Sequence, residues 1–156
     1  MSGMAFGIDA IAHRAALDAD GLTAAVLGTG IDVVYPRGNH ALYGDIAERG
    51  VVLSEFKQGT GPFRGCFPRR NRIIAGLCRL TIVVEAGEKS GSLITATCAA
   101  EFGRSVAAVP GAIDSPQSAG SNQLLRDGAH VIASIDDALS LANLAPVSTL
   151  RALPSL

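Results

Sequence analysis

Short β-branched runs alternate with Ala- and Leu-rich stretches of helical period along this chain, and no other feature restricts its fold as strongly. A strand followed by a helix before the next strand pairs in parallel, because the crossover must carry the chain back to the starting edge. Strands are predicted over residues 23–27, 50–54, 80–85 and 105–109, with a short fifth at Val131 and Ile132. Helices are predicted over 8–18, 40–49, 69–77, 92–102, 122–126 and 135–144. Ser92 is placed to cap one helix, while Gly103 and Gly128 are placed to close two others in left-handed conformation.

The expected class is therefore α/β, a doubly wound, mainly parallel sheet with helices on both faces. Composition agrees: 48% of residues are apolar but only 4% aromatic, so the core has to be built from Ala, Val, Ile and Leu. A length of 156 residues suits one domain, expected over 1–144, with 145–156 as a tail or linker. The first helix begins almost at once after Met1-Ser2-Gly3, which leaves no room for the strand and turn that open such folds. The domain is expected to be incomplete at its N-terminal side.

Cys66, Cys78 and Cys98 are odd in number and form no CxxC pair, so neither a disulfide framework nor a zinc site is indicated. No cofactor or metal is expected. No export signal or membrane-length apolar run is present, and the expected location is the cytoplasm. A net charge of −1 gives no general attraction to a polyanion, so a nucleic-acid site would have to arise from local clustering.

Such a cluster exists. From Phe56 to Val84 there is no Asp or Glu, yet Lys57, Arg64, Arg69, Arg70, Arg72 and Arg79 fall in that window, nearly half of the chain's 13 cationic residues. Phe63 and Phe67 interleave with them, and aromatic faces beside guanidinium groups are how single strands are held without sequence readout. Pro68 suits a first helical turn, whose N–H groups would face the same loop edge. Arg70 and Arg72 are preferred over Arg69 as phosphate ligands. The competing account packs both rings into the core and gives the arginines internal partners.

Other loops at the carboxyl ends of strands offer weaker signals. Gly28-Thr29-Gly30 presents bare backbone to a phosphate or makes a simple turn; Ser90-Gly91-Ser92 cradles a phosphate or caps a helix. His13, His40 and His130 stand apart and read as surface or packing residues. Glu85, Asp32 and Asp114 occupy strand-end loops, so a nucleotide-binding or nucleotide-hydrolysing enzyme with Glu85 as its acid is the alternative from another class.

Together the motifs resemble the Rossmann-like domain of the DNA-processing protein A (DprA, or Smf) family over about residues 2–140. The resemblance is carried by Ser2-Gly3-Met4-Ala5-Phe6-Gly7-Ile8-Asp9, Gly28-Thr29-Gly30-Ile31-Asp32-Val33-Val34-Tyr35-Pro36, Leu53-Ser54-Glu55-Phe56, Phe67 to Leu77, Ser90-Gly91-Ser92-Leu93-Ile94-Thr95-Ala96 and Gly120-Ser121-Asn122. It implies a non-enzymatic protein that binds single-stranded DNA in natural transformation, helps load the RecA recombinase and acts as a homodimer. It also implies that Arg64 holds a phosphate beside a base stacked on Phe67. The nucleic-acid-binding set so expected is Arg64, Phe67, Arg69, Arg70, Asn71 and Arg72, with Gly28, Gly30, Ser90, Gly91 and Ser92 from the loops. The family usually has Arg where this chain has Phe6, which implies weaker binding, with Arg69 a candidate to compensate.

Overall fold

A computed structural model describes residues 1–144 of the chain. The tail expected over 145–156 lies outside the described residues. The described residues form two compact units, the first spanning 1–78 and the second beginning at Arg79, each α/β.

In the first unit, helix α1 (Ile8–Asp18) precedes strand β1 (Ala24–Val26), helix α2 (His40–Arg49), strand β2 (Val51–Leu53) and helix α3 (Cys66–Leu77). A 3-10 turn at Arg37–Asn39, not foreseen from the sequence, leads into α2. β1 and β2 pair in parallel, Ala24 opposite Val51, as the helical crossover between them requires. Ser2 joins β1 on a single parallel bridge to Ala25, its N–H donating to the Ala24 carbonyl and its carbonyl accepting from Val26. Met4, Leu17, Ala25, Leu27, Leu42 and Ile46 make the core. Each of the larger side chains contributes about 1.5–3 kcal/mol by leaving water.

α1 is tied to the sheet through His13, which is 1% exposed and bonds through Nδ1 to Thr23 Oγ1 at 2.7 Å. Its Nε2 is buried without a partner among the described residues. Burial holds the imidazole below its ordinary value of 6.5, against a smaller opposing pull from Asp9. A base whose folded-state pKa is depressed contributes full stability above the unfolded value and loses it as pH falls below that. Thermal melts should therefore show the midpoint falling as the pH drops below the ordinary value of 6.5, with a shallower fall in His13→Gln. Equal slopes for the two chains would remove His13 as the cause.

In the second unit, strands β3 (Leu80–Val83), β4 (Ser105–Ala108) and β5 (His130–Val131) form a parallel sheet in that order. Helices α4 (Gly91–Glu101), α5 (Ala119–Arg126) and α6 (Ile135–Leu141) connect or follow them. Val83, Ala86, Ala96 and Ala108 form its core, small residues that let the helices approach the sheet closely. Gly103 and Gly128 take positive φ as expected, at 65° and 100°. Two helices start three residues earlier than the sequence suggested, α3 at Cys66 and α5 at Ala119, and α6 stops at Leu141.

Candidate nucleic-acid interface

Five of the six cations of the expected basic cluster, all but Arg79, lie in the first unit, where the fold uses them differently. α3 begins after Gly65, which sits in the left-handed region at φ 95°, and no side chain caps the helix. Pro68 has no N–H, and the Cys66 N–H turns back to the Phe63 carbonyl at 3.2 Å. The Phe67 N–H keeps no partner among the described residues, so the positive end of the helix is open at this point.

Arg70 has a different task from the one expected. It is only 5% exposed, and its Nη1 donates to the Gly3 carbonyl at 2.6 Å and to the Val26 carbonyl, while Nε donates to Asn71 Oδ1 at 3.1 Å. It thus locks α3 to the carboxyl end of β1 and to the segment before α1. Asp9 completes the lock by accepting from the Gly3 and Ala5 N–H groups at 3.0 and 3.2 Å. Between them Met4 is fully buried at φ 62°. Burial pushes the Arg70 pKa down, opposed by the charge of Asp9. A guanidinium spent on two carbonyls under the protein surface is unsuited to a phosphate, so the expectation for Arg70 is corrected. Asn71, also buried, faces the same interior network.

Arg69 and Arg72 are exposed but paired. Glu55 Oε1 accepts from Arg69 Nε at 3.2 Å and Oε2 from Arg72 Nη2. Arg69 also lies 5.4 Å from the centroid of Phe56, which meets Phe63 edge-on. One carboxylate offsets only one of the two positive charges, and each guanidinium keeps N–H groups that Glu55 does not engage, so a phosphate competes with Glu55 here without having to displace it. By contrast, Arg64 and Lys57 are exposed and have no side-chain partner among the described residues. They are the cations of the window in this unit with their full charge to offer.

Phe67 is half-buried and stacks on Tyr35, centroids 5.4 Å apart and planes at 29°. The Arg70 guanidinium carbon sits 5.9 Å from the same ring centroid. Sequence reading missed Tyr35 because it lies outside the basic window and is joined to Phe67 only through the fold. Phe6 is 69% exposed with its ring edge against Gly38.

The two glycines of the first loop serve the protein's own packing. Both are buried. A Cβ on Gly28 would meet Phe67 Cδ1 at 2.7 Å, and one on Gly30 would meet the Lys57 carbonyl at 2.5 Å. The Gly30 N–H donates to the Thr60 carbonyl at 2.8 Å, and Asp32 accepts from the Gly59 N–H at 2.8 Å, pinning this loop to the one after β2. Of the two readings of this loop, the turn that needs small residues is the one with structural support.

Ser90, Gly91 and Ser92 belong to the second unit. Ser90 is the cap of α4, its Oγ accepting from the Ser92 N–H at 3.4 Å and lying 2.8 Å from Ser92 Oγ. The expectation of Ser92 as cap is thereby corrected: the helix starts one residue earlier, at Gly91, so Ser90 takes the cap position. A cavity of about 580 Å³ lies beside α5, lined by Leu93, Ile113, Asn122 and Arg126 among others. Its amides and guanidinium already have partners: Asn122 forms a paired contact with the Gly111 backbone at 3.1 Å each way, and Arg126 reaches Gln123. Glu85 and Asp114 are exposed on the loops of this unit. Among the described residues no group of three His, Cys, Asp or Glu is arranged to hold a metal, and no helix is long and apolar enough to cross a membrane.

Comparison with known proteins gives concordant matches. The family model for DNA recombination-mediator protein A matches residues 1–143. A putative DNA processing protein DprA of Mycobacterium tuberculosis is 50% identical over 137 residues, covering 88% of this chain and 35% of that protein. The crystal structure of DNA processing protein A from Streptococcus pneumoniae superposes with a TM-score of 0.83 at 50% identity, over 89% of this chain and 49% of the other. A solved structure of Helicobacter pylori DNA processing protein A, described for its single-stranded DNA binding mode, gives 0.80 at 32% identity over 96% of this chain and 65% of the other. The chain spans about a third to a half of the length of the curated relatives it matches.

Proposed function

From a chain that belongs to the DNA recombination-mediator protein A family, we propose a binding function without catalysis: it holds single-stranded DNA in the cytoplasm during DNA uptake. The observation that carries this reading is Arg64, an exposed cation without an internal partner, three residues before Phe67 and next to the uncapped start of α3. A phosphate there meets the guanidinium, the Phe67 N–H and the positive end of the helix, while its bases lie against the aromatic surface that begins at Phe67. Lys57 adds charge from the loop after β2. Arg69 and Arg72 contribute less, because Glu55 offsets part of their charge.

Titration of labelled oligonucleotides by anisotropy tests this. The wild-type chain should prefer single strands to duplex, since a duplex hides its base faces. Arg64→Ala should weaken binding by roughly tenfold and lower the slope of log affinity against log salt by about 0.7, the value for one single-strand phosphate. Equal affinity for both nucleic acids, or an unaltered slope, would count against it. The family reading extends to transfer of the strand to the RecA recombinase by a homodimer. Sedimentation of the chain and RecA filament assembly on coated oligonucleotide measure these two steps.

A further inference from the structure

We propose that the base of the bound strand stacks on Tyr35, with Phe67 as the ring that supports it from below. This rests on the single-stranded DNA reading and says which surface of that site receives the base.

The surroundings of Phe67 are largely filled by the protein. Its ring is in contact with the backbone at Gly28, where a Cβ would come within 2.7 Å of Cδ1, and the buried Arg70 guanidinium is 5.9 Å from its centroid. Tyr35 stacks on what remains, at 5.4 Å. The pile of planar groups therefore continues outward through Tyr35, which is 42% exposed. An incoming base would have to displace Tyr35 to lie on Phe67 from that side, whereas the exposed part of Tyr35 extends the stack toward solvent. A ring held by another ring is also pre-ordered, so stacking on it costs little side-chain entropy.

Two further features suit Tyr35 to a ligand. Its hydroxyl makes no hydrogen bond among the described residues, whereas that of Tyr43 is committed to the Ile31 carbonyl at 2.6 Å. Arg37, two residues on, is exposed and has no side-chain partner among the described residues, so a phosphate next to the stacked base has a cation nearby.

The chain contains no Trp, which makes Tyr35→Trp a single-tryptophan reporter in the full chain. Oligothymidylate should quench its emission with the same midpoint that labelled oligothymidylate gives by anisotropy with the wild-type chain. Tyr35→Leu should bind roughly 5- to 100-fold more weakly than wild type, and Tyr35→Phe, which keeps the ring and loses the hydroxyl, should lose less than Tyr35→Leu, with thermal melts recorded for each to separate unfolding from lost stacking. If wild type binds and Arg64→Ala weakens it, but Tyr35→Leu binds like wild type or the Y35W emission is unchanged, this inference alone is overturned. If wild type shows no preference for single strands, the reading beneath it falls as well.

Discussion

Arg70→Ala should lower the stability of the first unit by about 3–5 kcal/mol, the cost of stranding buried hydrogen-bond acceptors that a charged donor had satisfied. The Gly3 and Val26 carbonyls and Asn71 Oδ1 would each lose the Arg70 donor at once, and Asp9 would lose the cation that opposes its charge. Urea unfolding followed by circular dichroism should move to a lower midpoint. Lys in place of Arg should rescue little, because an ammonium cannot present the planar fork that reaches two carbonyls and an amide together. The same variant distinguishes the two accounts of this residue. A phosphate ligand at the surface would leave the midpoint alone and weaken DNA binding only; that result would return Arg70 to the interface.

Gly30→Ala should cost about 2–3 kcal/mol, although it adds one methyl group. The new carbon would sit 2.5 Å from the Lys57 carbonyl and 3.1 Å from the Gly59 nitrogen. Both are backbone atoms, so neither can swing aside as a side chain would. Relief requires the two loops to part, which breaks the Gly30–Thr60 hydrogen bond and the grip of Asp32 on Gly59. The expected result is a lower melting midpoint with DNA affinity changed only as far as Lys57 shifts. Loss of binding with an unchanged midpoint would instead make the Gly-Thr-Gly backbone a phosphate cradle.

Both cases turn on a difference between what a motif offers and what the fold takes. The parallel α/β class was legible because it depends on periodicity, which is local: a β-branched run beside a helical run can hardly be arranged otherwise. Helix closure at Gly103 and Gly128 was legible for the same reason, since φ above zero is set by the residue's own backbone. The early starts of α3 and α5 were not, because Cys66-Phe67 and Ala119-Gly120-Ser121 carry no strong start signal and the turns before them fix the entry. Electrostatics misled most. An acid-free window looked like six available cations, but Glu55, one residue outside it, binds Arg69 and Arg72 from 14 and 17 positions away.

By itself, then, the sequence determined the strand–helix alternation, the family motifs and the clustering of arginines around Phe67, all of them consequences of residue type and spacing. Tertiary structure alone decided which arginine is a structural tie, which are held by Glu55 and which is exposed for a ligand. It alone put Tyr35 on Phe67 and filled the space over the glycines. Hydrogen bonds and ring contacts depend on distances in space, and residues 3, 26 and 70 or 35 and 67 become neighbours only when the chain has folded.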